Sequence, residues 1–200
     1  MSNKPEISED PDKKRNTHEY YPFFRWGDLH TPFMIYVRSH HRLSDQDFMD
    51  LFGLQNYLKA FPPLPPTGSH VVFANDTEWM HIADDFRYTL WYSPKTAEAI
   101  AKLSTSYDVF RSSIGDIDNS FEFEYHQDGK LVRKFVFEDD VVKRTQTVTV
   151  DTGPKLLGEP TTLSDLIVTA QRMFPTITQA LGIVRVTDPL QNRFYGKKAG

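Results

Sequence analysis

Residues 107–140, YDVFRSSIGDIDNSFEFEYHQDGKLVRKFVFEDD, carry the strand pattern that sets the fold class. Phe121, Phe123 and Tyr125 alternate with Glu122, Glu124 and His126. A period of two is that of a strand with one face buried. Gln127-Asp128-Gly129-Lys130 follows. Asp-Gly between two alternating runs predicts a tight hairpin, because Gly accepts the positive φ of the turn. The return strand is predicted over 131–137. A two-residue loop sets Glu124 opposite Arg133, Tyr125 opposite Val132 and Phe121 opposite Val136, whereas a three-residue loop with a Gly bulge slips the pairing by one. Matched pairs of this kind contribute a few tenths to about 1 kcal/mol each. Val132 and Val136 on one face, with Leu131, Phe135 and Phe137 on the other, place this strand inside a sheet. Residues 107–114 predict a further strand, ended by Gly115.

Outward from this stretch, composition sets limits. A chain of 200 residues suffices for one domain with a sizeable core. The 15 Phe and 9 Tyr favour a β-rich interior. A net charge of −4 lacks the basic face of a nucleic-acid binder, so no nucleic-acid partner is expected. The absence of cysteine excludes disulfides, thiolate metal sites and a cysteine nucleophile, and suits a reducing compartment. No run approaches the roughly 18 apolar residues of a membrane span, and residues 1–16 lack the apolar middle of a signal peptide. A cytoplasmic protein without membrane contact is the expectation. Asn75-Asp76-Thr77 matches a glycosylation acceptor and, in that compartment, reads as a turn.

Residues 1–19 are polar and read as a disordered tail. The aromatic cluster 20–26 (YYPFFRW) reads as a plug over the core or as a recognition patch. Residues 33–38 read as a buried strand. Residues 44–54 predict a helix with Ser44 and Asp47 as a capping box. The prolines of 60–68 remove backbone donors and predict an extended connector within a single domain spanning 20–183. Strands are predicted over 70–74, 78–83 and 88–92, and a helix over 94–104 opened by Ser93-Pro94. Residues 141–150 alternate again. Residues 162–181 follow helical spacing from a Thr162 cap, and Pro175 splits them. Residues 184–200 read as a surface tail. The expected class is α+β, a mainly antiparallel sheet of six or more strands with two to three packed helices.

Asp116-Ile117-Asp118-Asn119 is the most suggestive motif for chemistry, since alternate oxygen-bearing side chains can hold Mg²⁺ or Ca²⁺. The plain alternative is a turn whose Asp and Asn bond their own backbone. A metal-dependent hydrolase on this turn would need Asp116 and Asp118 to converge with His81, Asp84 or Asp85. No HExxH, Gly-x-Ser-x-Gly or phosphate-loop pattern occurs, no catalytic residue is assigned and no cofactor is expected. Asp108, Asp116, Asp118, Glu122, Glu124, Asp128, Glu138, Asp139 and Asp140 gather in one block. Such a block can steer a basic protein partner or simply keep a sheet soluble.

The succession WMHIADD, YTLWYS, AEAIAKLS, YDVFRSS and FEFEYHQDGKLVRKF, over residues 78–137, resembles small bacterial uncharacterised or toxin-immunity-type α+β domains. The resemblance covers about 60 of the 200 residues and implies no catalytic residues. It implies a fold neighbourhood only; the acidic block and the missing catalytic signatures point to a non-enzymatic cytoplasmic binding protein, of the toxin-neutralising kind, acting through an acidic and aromatic surface. The candidate contact residues are Asp116, Asp118, Glu122, Glu124 and Arg133. A structural subunit of a larger assembly, using the cluster at 20–26, is a further alternative.

Overall fold

Nine strands form one antiparallel sheet in the computed structural model, which describes residues 33–61, 70–84, 89–91, 93–115, 118–172 and 174–197. The tail 1–19, the aromatic cluster 20–26, the prolines of 62–66 and the residues Asp85 and Asp116 lie outside the described residues. The strands are β1 (Phe33–Arg38), β2 (Tyr57–Ala60), β3 (His70–Asn75), β4 (Trp79–Asp84), β5 (Asp108–Ile114), β6 (Phe121–Gln127), β7 (Lys130–Asp140), β8 (Thr145–Thr152) and β9 (Arg193–Lys197). Their order across the sheet is β2-β9-β3-β4-β1-β5-β6-β7-β8. The helices are α1 (Asp45–Leu51), α2 (Thr96–Leu103), α3 (Leu163–Ala170) and α4 (Pro175–Ala180). The α+β class with a mainly antiparallel sheet is as expected, the sheet is larger than the minimum of six strands, and the described residues hold four α-helices rather than two to three, because Pro175 divides the last one.

Alternation along the central strands builds two cores. Met34, Tyr36, Trp79, Phe110, Phe121 and Phe123 face one side, where Leu166 and Ala170 of α3 and Ile177 of α4 cover them. Ile35, Val37, Phe73, Met80, Ile82 and Val109 face the other, under Phe48 of α1 and Ile100 and Leu103 of α2. A sheet apolar on both faces needs a layer on each, and each fully buried Leu, Ile or Phe contributes about 1.5–3 kcal/mol. The predicted capping box starts α1: Asp47 N–H donates to Ser44 Oγ at 3.1 Å, and Ser44 N–H donates to Asp47 Oδ2 at 3.3 Å. Pro175 opens α4 and separates it from α3, as its missing N–H requires. Phe174 before it is left-handed, at φ +52°, outside the right-handed helical region that a following proline disfavours. Phe174 nonetheless packs edge-on against Phe121 and Phe123, 5.7 and 5.4 Å away between ring centres.

Several expectations are corrected. The hairpin has the predicted two-residue loop, with Asp128 and Gly129 at φ +52° and +71° and Gln127 paired to Lys130. A bulge after His126↔Leu131 leaves Val132 over, so Arg133 pairs with Tyr125 and Phe137 with Phe121. One extra residue moves the remaining side chains of β7 to opposite faces. The predicted strand 88–92 is a turn where described, at Thr89–Trp91, because the Asp84 carboxylate accepts from the N–H groups of Thr89, Leu90 and Trp91 at 3.2, 2.9 and 2.9 Å. Ser93 does not cap α2, which begins after Lys95 with no side-chain cap. Residues 141–144 form a turn, and the strand expected there is shifted to β8. The supposed tail 184–200 contains β9, which lies between β2 and β3.

Candidate functional site

Cross-strand register decides what the acidic candidates do. Arg111 of β5, Glu124 of β6 and Lys134 of β7 stand in one row across the sheet. Arg111 Nε donates to Glu124 Oε2 at 2.6 Å and Lys134 Nζ lies 2.9 Å from Oε1. His126 Nε2 lies 3.0 Å from Oε2. Glu124 is buried, and burial pushes its carboxyl up. The hydrogen bonds from His126 and Arg111 and the charge of Arg111 outweigh this and hold it well below the usual carboxylate range. Glu122, on the same face, accepts from Trp91 Nε1 at 2.9 Å, and the Arg111 guanidinium lies 4.7 Å from the centre of that indole. Of the predicted contact acids on β6, Glu124 is thus neutralised within the sheet.

Arg133 is not at a surface. Its side chain is wholly buried and forks onto Glu159, with Nε to Oε2 at 3.0 Å and Nη2 to Oε1 at 2.6 Å. Nη1 donates to Asp151 Oδ1 at 2.5 Å and to the Thr152 carbonyl at 3.0 Å. The guanidinium also lies over the rings of Phe123 and Phe135. It ties β7, β8 and the segment before α3 together and offers nothing to a partner. Asp118 behaves as a turn acid: its Oδ1 accepts from Ser120 N–H at 2.7 Å. Asn119 donates to Asp139 through both its backbone and side-chain nitrogens.

The metal set is not brought together among the described residues. His81 points with Trp79 and Ala83 into one core, whereas Asp84 follows Met80 and Ile82 on the opposite face. His81 Nε2 lies 2.9 Å from Asp76 Oδ2, and Asp84 is occupied by the three N–H groups of the turn. No group of three or more His, Asp or Glu able to hold an ion occurs among the described residues. Asp76 is the residue the sequence reading passed over. Its carboxylate accepts from Glu78 N–H, Trp79 N–H and Val184 N–H at 2.8, 2.7 and 2.8 Å, besides meeting His81. Burial raises its pKa, and these bonds, His81 first, bring it below the ordinary value. The Asn-Asp-Thr turn was the only local signal of its importance.

Among the described residues one long backbone edge is left without a neighbouring strand. β8 ends the sheet, and every residue of Thr145–Thr152 is exposed except Val150, which is half-buried. Thr145, Thr147, Val148, Thr149, Val150 and Thr152 are β-branched, and neither Pro nor Lys interrupts them. Asp151, the single charge, is engaged by Arg133. At the adjoining turn Val142 is 93% exposed, and Val141 is exposed beside it. Edge strands usually carry Lys, Pro or a covering element to discourage pairing with another chain, and a bulge is the one such device here, where Val150 and Val148 pair with the consecutive residues Val136 and Phe137. The opposite edge, β2, is only four residues long and carries Leu58 and Phe61 exposed at its end. No described helix is long and apolar enough to cross a membrane. No protein-family model matches the chain, and no curated protein or solved structure matches it.

Proposed function

We propose that this chain is a non-enzymatic, cytoplasmic binding protein that captures a protein partner by strand addition at β8. The supporting observation is that edge: eight residues, six of them β-branched, exposed almost throughout, on the end of a nine-stranded sheet. An extended segment laid along it gains main-chain hydrogen bonds, while alternate side chains supply selectivity. Glu138 near the end of β7 lies across from Thr147 of β8 and favours a basic partner, while Asp139 is held by Asn119 and Asp140 by Lys143. A toxin neutralised by its cognate protein is the partner class that the resemblance over 78–137 suggests.

The test is capture from the native host by the wild-type chain and by the double variant Thr147→Lys/Thr149→Lys. Both positions are exposed, so stability should stay within about 0.5 kcal/mol. Partner capture should be lost, and hydrogen exchange in the wild-type complex should show new protection over 145–152. Protection elsewhere with unchanged exchange in β8 would sink the reading.

A further inference from the structure

A second feature, independent of the β8 edge, lies at the end of the sheet where β1 runs out. A cleft of about 290 Å³ opens between the turn after β1, the end of α2, the start of β5 and the β6–β7 turn. Its charges divide into two kinds. Arg38 is committed: Nε and Nη2 donate to Glu78 at 2.9 and 2.7 Å, and Nη1 lies 3.8 Å from Asp108. Asp108 is further engaged by the Tyr125 hydroxyl. Arg42 and Asp128 also line the cleft, and among the described residues neither side chain has a hydrogen bond or an ion pair. Ser39, 1% exposed, lines it too, and its Oγ is buried with no partner.

The walls carrying these groups are fixed. Arg42 N–H donates to the Ser39 carbonyl at 2.9 Å, closing a turn in which His40 and His41 are both left-handed, at φ +47° and +62°. Consecutive left-handed residues other than glycine are costly, and such strain gathers at binding sites. On the other side, Gly129 N–H donates to the Ser104 carbonyl at 2.8 Å, which holds the Asp128 turn against the end of α2.

We infer that this cleft binds a small zwitterion of amino-acid or dipeptide size, its carboxylate on Arg42 and its ammonium on Asp128. The charge pattern selects against the alternatives. A multiply charged anion would meet Asp128 and Asp108, and a simple cation would meet Arg42 and Arg38. The fork of Arg42 matches a carboxylate with two parallel hydrogen bonds.

The experiment uses the full chain with three kinds of probe. The zwitterions are the free L-amino acids, glycylglycine and glycine betaine; the single-charge controls are acetate and methylamine; inorganic phosphate is the third. Thermal shift followed by calorimetry should show at least one zwitterion binding and the single-charge controls failing. Arg42→Gln and Asp128→Asn, both at exposed positions, should each weaken that zwitterion about tenfold or more, since each removes one charge-assisted contact. The inference is overturned if no zwitterion of the panel binds, if phosphate binds as well as the best of them, or if binding survives both charge variants unchanged.

Discussion

Arg133 and Glu124 sit on neighbouring strands and face opposite sides of the sheet, and the difference sets what each contributes. The Arg133–Glu159 fork is buried at both ends. Removing one partner of such a pair strands a charge in the interior. Arg133→Ala is therefore expected to cost about 3–5 kcal/mol in urea unfolding, whereas Glu122→Gln should cost less than about 1 kcal/mol. Glu124 is held ionised by Arg111, His126 and Lys134. Its folded pKa is depressed, so its contribution is fully present above the unfolded value of about 4.3. That contribution is lost as pH falls towards the folded value. Unfolding free energy measured from neutral to strongly acidic pH should drop below about pH 4, and Glu124→Gln should flatten that limb while lowering stability at neutral pH by about 1.5–3 kcal/mol. Alternation on β6 was legible in the sequence, but the partners of its charges were not. They depend on a bulge at Val132, and nothing in the sequence next to Val132 announces it, because Glu159 and Asp151, which hold the displaced Arg133, are distant in the chain.

Elements whose chemistry is local were readable. Ser44 and Asp47 define the start of α1, Thr162 caps α3 through Asp165 N–H, and Pro175 divides α3 from α4. β2 and β9 were not readable. YLKA and RFYGK are too short for a period to show, and they exist as strands because they pair with each other and with β3. The segment after α4 also depends on a distant group, since Val184 N–H rests on Asp76. Asp76→Ala leaves that amide and those of Glu78 and Trp79 without an acceptor. The Val184 amide should then exchange about tenfold faster than in the wild type, since its hydrogen bond to Asp76 is gone, while amides of β6 and β7 keep their rates. Equal acceleration everywhere would mean that Asp76 supports global rather than local stability.

At the scale of the molecule, one sheet carries two cores, so neither face can come apart without disturbing the other. Phe194 of β9 is buried in the first core and pairs with Val72 and Ala60. Phe194→Ala should cost about 3–5 kcal/mol, and near- and far-UV circular dichroism should still report one coincident thermal transition at the lower temperature. Separated transitions would show that the β2–β9 end melts independently. The antiparallel class and the interior position of β7 were foreseeable from alternation and from apolar residues on both faces. The order of the strands was not, because it joins segments from opposite ends of the chain.

That order has a consequence for synthesis on the ribosome. β3 emerges early, but its outer neighbour is β9, whose residues follow only after the stretch from Asn75 to Arg193 has been translated. Elongation at about 5–20 residues per second makes that wait on the order of ten seconds. Throughout it, β4 can shield one side of β3 while the other presents unpaired backbone to its surroundings. The nascent chain thus passes through a stage with two open edges, of which only the one beside β8 persists in the finished protein.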